Sequence, residues 1–347
     1  MKKLLTGNEV IVQAALASGA LGYAGYPITP ATEIMTEWDK AFVKDKNLRF
    51  LQTEDEMSAG FVTIGMIMGG IKAFTATAGP GNTLMQDPLT MAENMRIPMV
   101  VIIAQRGGPS TGSVIYSQQE VILSGWGGNS EGYRVVYSPS NIQELYDYTI
   151  KAFNTAWTHM FPTIVLTDGY VVKTRQSVDI YQPKKLVKSH PLVVKSYERN
   201  ADKELDYQNL SNTFVTEEQS YEVNMDLMNA FKKMTPKVVE SEVYQKGNYK
   251  TLIIVHGLVA GAAKEAVDMK GKEKKFGLFR PITLNPFPIN ELKKAARGVK
   301  QIIVAESAHN QLQKLVKEAL YGEHINIKQY GRPGLGITPE ELIKLVK

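Results

Sequence analysis

Residues 99–104 read MVVIIA, and no position in that run is polar. A strand with one face in water alternates polar and apolar residues, so a run like this must be covered on both faces. Residues 73–77 (AFTAT) and 162–167 (PTIVLT) are also largely apolar, with threonine as their one polar residue type, and helical patterns separate the three runs. Strands that alternate with helices and are apolar on both faces predict an α/β fold on a doubly wound parallel sheet. In such sheets ligands gather outside the carboxyl ends of the strands. Four polar or glycine-rich segments stand at those ends: residues 25–30 (GYPITP), 53–56 (TEDE), 78–82 (AGPGN) and 105–112 (QRGGPSTG).

Two prolines keep residues 25–30 out of any helix interior. The following residues read as a helix start, with Thr29 as N-cap and Pro30 at the first helical position. Such a turn either punctuates the chain or presents a hydroxyl and free N–H groups to a polar ligand. Asn8 is the expected cap of the preceding helix, whose apolar face is Val10, Ala14, Ala17 and Leu21.

At 347 residues the chain fits two domains. Residues 1–185 form the first, and a strand–helix alternation resumes in a smaller unit at 250–347. Between them, residues 186–249 lose the pattern and read as a linker carrying one helix near 223–233. Net charge is +5, with acids spread along the chain and no basic stripe interleaved with aromatics, so nucleic acid is not an expected partner. No cysteine is present, which rules out disulfides, thiolate zinc and iron–sulfur ligation by this chain. No stretch is long and apolar enough to cross a bilayer, and the opening residues follow a helical rather than a signal-peptide pattern. A cytoplasmic location is the expectation.

Glu54, Asp55 and Glu56 stand where a helix begins. Three acids there are favoured by the helix dipole, and one turned inward would be desolvated and suited to proton transfer. Gly79, Pro80 and Gly81 form either a plain turn or a loop whose N–H groups face a ligand. Arg106 directly follows the buried run at 99–104, where it either reaches solvent or clamps a carboxylate. The stretch at 256–261 (HGLVAG) imitates a dinucleotide loop but lacks the full glycine fingerprint, so a structural turn is the expectation. The five histidines show no metal-ligand spacing, and Asp168 before Gly169 reads as a strand-end turn.

Taken in order, these segments resemble the alpha subunit of the 2-oxoacid:ferredoxin oxidoreductases. The stretches that carry the resemblance are GNEVIVQAALASGALGYAGYPITPATEI, TEDEMSAGFVTIGMIMGG, TATAGPGNTLM, AQRGGPSTG and PTIVLTDGYV. In the second unit they are HGLVAGAAKEAVDM, GLFRPITLNPFPINELKKAARGVKQIIVAES and GRPGLGITPEEL. The resemblance covers residues 5–180 and 250–345. It implies a thiamine diphosphate (TPP) pyrimidine-binding domain followed by a smaller transketolase C-terminal-like α/β domain. The implied reaction is oxidative decarboxylation of a 2-oxoacid to an acyl-CoA, with coenzyme A as co-substrate and electrons passed to ferredoxin. It also implies a beta subunit supplying Mg²⁺ and diphosphate binding, with iron–sulfur clusters only on partner chains, among them small gamma-type subunits. Glu56 matches the glutamate that bonds the cofactor's pyrimidine. Thr29 and Arg106 match the substrate-binding threonine and arginine, with Gly107 beside them. Tyr26, Pro27, Ile28, Gly79, Pro80 and Gly81 match the cofactor pocket. The wording at 108–112 favours 2-oxoglutarate, with pyruvate and branched-chain acids as the other members of the class. The rival expectations are a non-catalytic scaffold subunit and, from the loop at 256–261, a nicotinamide dehydrogenase.

Overall fold

All six residues of the strand Val100–Gln105 are buried. Its side chains divide by parity. Val100, Ile102 and Ala104 enter one core, while Val101 and Ile103 enter another on the opposite face. The period of two that alternates water and core in an exposed sheet here alternates two cores. Each fully buried valine or isoleucine contributes about 1.5–3 kcal/mol. The strand is therefore committed to the centre of a covered sheet.

The computed structural model describes residues 2–199, 205–244 and 249–346. Residues 200–204 and 245–248 of the expected linker lie outside the described residues, as do the outermost residues of the two expected domains. The chain begins with β1 (Lys2–Thr6), α1 (Gly7–Ala17), β2 (Gly22–Gly25), α2 (Thr32–Lys44), β3 (Arg49–Gln52), α3 (Glu56–Met68) and β4 (Ala73–Thr77). It continues through α4 (Pro80–Leu84), α5 (Gln86–Asn94), β5 (Val100–Gln105), α6 (Val121–Trp126), β6 (Val135–Tyr137), α7 (Ile142–His159), β7 (Thr163–Asp168), α8 (Gly169–Lys173) and β8 (Arg175–Asp179). Then come β9 (Val194–Arg199), β10 (Leu205–Tyr207), α9 (Glu217–Val238), β11 (Ser241–Tyr244), β12 (Thr251–Ile254) and α10 (Val259–Lys274). The last elements are β13 (Phe276–Pro281), β14 (Thr283–Asn285), α11 (Ile289–Ala295), β15 (Gln301–Glu306), α12 (Leu312–Ala319), β16 (Asn326–Gly331) and α13 (Pro339–Leu345).

Seven strands form the larger sheet in the order β14-β6-β7-β5-β4-β2-β3. Six of them run parallel, and β14 pairs antiparallel with β6. The chain leaves β2 for β3 on one side and returns to β4 on the other, so the topological switch lies between β2 and β4. The smaller sheet has the order β11-β13-β12-β15-β16, with β11 its antiparallel edge. The core containing Val101 and Ile103 also contains Leu252, Ile254, Phe279, Ile302 and Val304 of the smaller sheet. The two sheets thus share one apolar layer. The far face of the smaller sheet is covered by a third core of Ile253, Val255, Ala263 and Leu342.

Several local features differ from the sequence expectation. Thr6, not Asn8, caps α1, in a capping box with Glu9. Asn8 is buried instead, and its Nδ2 donates to the Pro30 carbonyl at 3.0 Å and to Glu33 at 3.1 Å. Residues 28–31 close a turn of their own, with Ala31 N–H donating to Ile28 O, so α2 begins only at Thr32 and Thr29 is not its cap. Within residues 186–249, α9 places Leu227, Met234 and Val238 in the first core, and β11 joins the smaller sheet. Lys72 ties the same segment down, its buried ammonium donating to Ser18 O at 2.8 Å and Val187 O at 2.6 Å.

Helix α3 carries Gly60 and Gly65, each costing about 1 kcal/mol against alanine in a helix. Gly60 is required by packing, because a Cβ there would collide with the Pro88 ring of α5. At Gly65 a Cβ would meet nothing within 4 Å. Gly60→Ala is expected to destabilise the chain by about 1–3 kcal/mol. Gly65→Ala should be neutral or stabilising by up to about 1 kcal/mol. Urea titrations of both variants check this, and equal effects would contradict the α3–α5 contact.

Candidate active site

The carboxyl ends of β2, β3, β4 and β5 lie side by side, which brings the four marked segments to one edge. The three acids after β3 divide into three roles. Glu54 is exposed. Asp55 is the N-cap of α3, its carboxylate accepting the Ser58 N–H at 2.6 Å, and that bond holds its pKa below the ordinary value. Glu56 turns inward and is only 4% exposed. Burial raises its pKa and the neighbouring Asp55 charge adds to the rise, against the opposing charge of Arg106. Its Oε1 is buried with no hydrogen-bond partner, as is the Thr77 hydroxyl at the end of β4. Both atoms crowd Gly81, where a Cβ would collide with each.

Gly79 has φ 54° and ψ −119°, a left-handed conformation that disfavours other residues. Its Cα packs against Arg106, and a Cβ there would fall 2.7 Å from Nε. Arg106 is 6% exposed. Its Nη1 donates to the Thr29 carbonyl at 2.8 Å, and its buried Nε has no partner. The hexamer therefore meets Arg106 through a backbone oxygen, while the Thr29 side chain is exposed. Tyr26, Pro27 and Ile28 stand on the adjoining loop, with Tyr26 37% exposed. Gly107 is held by its own loop, its N–H donating to Ser113 Oγ at 3.2 Å.

The residue that binds these parts together is Glu120, which the sequence reading missed. Its Oε1 accepts the Gly79 N–H at 3.0 Å and the Arg106 N–H at 2.9 Å, and its Oε2 accepts Asn82 Nδ2 at 2.9 Å. Glu120 is 5% exposed, and burial raises its pKa against those three hydrogen bonds. It follows Arg106 by fourteen positions in an unremarkable stretch, and a lone acid beside two glutamines is its only sequence signal. A cavity of ≈ 480 Å³ opens beside the cluster, bounded by Gly79, Pro80, Arg106, Gly108, Gln119 and Glu120. Glu56 and the hexamer do not line it. The assembly offers one buried carboxyl with a free oxygen for proton exchange and one guanidinium for an anion.

The other sequence candidates lie elsewhere. Asp168 caps α8 through the Tyr170 and Val171 N–H groups, and burial pushes its pKa up to about 7. His256 is fully buried with Nδ1 on Ser138 Oγ at 3.0 Å, and the following Gly257 packs near Gln118 and Ser138. Burial and the Arg280 charge push the His256 pKa down to about 3. Among the described residues, no group of three His, Asp or Glu is arranged to hold a metal ion.

Residues 13–245 match the family described as pyruvate flavodoxin/ferredoxin oxidoreductase, thiamine diphosphate-binding, and residues 250–342 match pyruvate:ferredoxin oxidoreductase core domain II. The 2-oxoglutarate synthase subunit KorA of Methanocaldococcus jannaschii is 29% identical, over 99% of each chain. The ketoisovalerate oxidoreductase subunit VorB of Methanothermobacter marburgensis is 28% identical, over 91% of this chain and 89% of that one. Among solved structures, a 2-oxoglutarate:ferredoxin oxidoreductase from Magnetococcus marinus superposes with a TM-score of 0.84 at 25% identity. That match spans 99% of this chain but 64% of the other. A split-gene transketolase shares the fold at a TM-score of 0.61 and 14% identity.

Removing the Glu120 carboxylate leaves two backbone N–H groups without their acceptor, at about 1–3 kcal/mol for each buried unsatisfied group. Glu120→Ala is expected to destabilise the chain by about 2–5 kcal/mol in urea titration. Glu120→Gln keeps one acceptor oxygen and should lose about half as much. Matching losses from the two variants would contradict the bridging role.

Proposed function

The chain belongs to the pyruvate flavodoxin/ferredoxin oxidoreductase family, and we propose that it is the subunit activating the pyrimidine side of thiamine diphosphate in a 2-oxoacid:ferredoxin oxidoreductase. The observation that carries this reading is the buried, unpartnered Glu56 Oε1 set against Gly81. A buried carboxyl without a partner is costly unless a ligand completes it, and a pyrimidine ring nitrogen offers the complementary hydrogen bond. The residues present therefore fit the group. Bound thiamine diphosphate supplies the nucleophilic carbon and the electron sink for 2-oxoacid decarboxylation.

Glu56 would hold the pyrimidine and relay a proton through Oε1. Its raised pKa suits that task, because the best catalytic pKa lies near the working pH. The loop carrying Gly79, Pro80 and Gly81 would form the wall beside Glu56, and Tyr26, Pro27 and Ile28 the adjoining rim. Arg106 would take the substrate carboxylate with the guanidinium edge left free by Thr29, and the exposed Thr29 hydroxyl would face the same substrate with Gly107 nearby.

One feature of the composition supports a divided site. The chain has no cysteine, so iron–sulfur clusters would lie on partner chains such as a small gamma-type subunit. A beta subunit would supply the Mg²⁺ and diphosphate contacts. Coenzyme A and ferredoxin complete the proposed reaction. One relative above is named for 2-oxoglutarate and another for ketoisovalerate, so their names keep both acids in the class.

Glu56→Gln in the reconstituted complex is expected to lower 2-oxoacid-dependent viologen reduction by about 10²-fold or more, with assembly intact. The variant is isosteric, so unchanged turnover in an assembled complex would remove Glu56 from the mechanism.

A further inference from the structure

We infer that the cavity beside Arg106 selects a 2-oxoacid with an aliphatic side chain over one that carries a second carboxylate. This rests on the 2-oxoacid reading above and names the substrate within it.

Arg106 is the single cation among the residues lining the cavity. Its Nη1 is committed to the Thr29 carbonyl and its Nε is packed against Gly79, which leaves the guanidinium one open edge. One carboxylate saturates that edge. The other charged residue in the lining is an acid, Glu120. A second substrate carboxylate would enter beside it with no cation to pair.

The rest of the wall is either neutral or apolar. Leu84, Leu123 and Pro80 give it a hydrocarbon surface, and Thr83, Ser110 and Gln119 give neutral polar groups. Gln119 Oε1 already accepts from Gly108 N–H and Ser117 Oγ, each at 3.0 Å. Hydroxyls and an amide can bond a carboxylate but do not offset the cost of taking its charge out of water. A branched aliphatic chain meets no such cost and buries apolar surface on the leucines. This departs from the 2-oxoglutarate expectation raised by residues 108–112. Of that stretch only Gly108 and Ser110 line the cavity, and neither carries charge.

The test is a substrate panel on the assembled complex, with viologen reduction as the readout. The value of kcat/KM for 2-oxoisovalerate is expected to exceed that for 2-oxoglutarate by about tenfold or more. The reverse order would overturn the inference. Absence of turnover with every 2-oxoacid, pyruvate included, would instead sink the proposed function. Leu84 is 39% exposed on a short helix, so Leu84→Lys adds a cation without opening the core. It should raise the 2-oxoglutarate to 2-oxoisovalerate ratio about tenfold, with Leu123→Lys as a second position. A ratio unmoved in both variants, each assembled and melting normally, would overturn the assignment of this wall to the substrate side chain.

Discussion

The organisation of this protein depends on covering β5 from both sides. Val100 to Ala104 are apolar without a break, which leaves β5 no face to offer water, so both of its faces must be covered. The same holds for β7, whose Val165 enters one core while Ile164 and Leu166 enter the other. Once both faces are closed, polar side chains can collect only at the sheet edges. The loops at the carboxyl edge then inherit the chemistry, and the switch between β2 and β4 opens a crevice among them. The second sheet follows from the same demand. Leu252, Ile254, Ile302 and Val304 cover part of the core that Val101 and Ile103 open.

Two buried glutamates at this edge show how hydrogen bonding separates support from chemistry. Burial raises the pKa of both, because a desolvated carboxylate is disfavoured against its neutral form. Glu120 spends its oxygens on Gly79, Arg106 and Asn82, which fixes the loop after β4 relative to the end of β5. Glu56 keeps one oxygen free beside Gly81. A fully bonded acid rigidifies its surroundings, whereas an acid with an open oxygen invites a ligand. Similar residues with similar exposure thus play different parts, and only the partner inventory tells them apart.

Much of this was legible in the sequence, and the illegible remainder has a common cause. Apolar runs marked β4, β5 and β7 because a buried strand's surroundings are written in its own side chains. The acids at 54–56 and Arg106 stood out because they abut such strands. Helix α9 was only half visible, since its burial depends on a surface built more than sixty residues earlier. Helix α12 starts only at Leu312, where Glu306 at the end of β15 accepts the N–H groups of Gln311, Leu312 and Gln313 from outside the helix. Glu120 was invisible for the same reason, its partners lying fourteen and about forty residues away.

The second unit also has a part in the site. Gln118 accepts the Ser307 N–H at 2.9 Å and donates to the His256 carbonyl at 2.8 Å, and its own N–H donates to Ser307 O at 3.1 Å. Tyr116 reaches the Ser307 hydroxyl at 2.8 Å. These contacts pin residues 116–118 to the smaller sheet, and Gln119 and Glu120 follow immediately. The cavity wall is therefore stretched between two anchors, β5 at one end and β15 at the other. Gln118 is fully buried, so each of its bonds forms away from competing water and leaving one unmade carries the full desolvation cost. A freely hinged second unit would break these bonds and release Glu120 from Gly79 and Arg106. The shared apolar layer between the sheets opposes that hinge, so residues two hundred positions further along the chain brace the segment whose Glu120 accepts the Arg106 N–H.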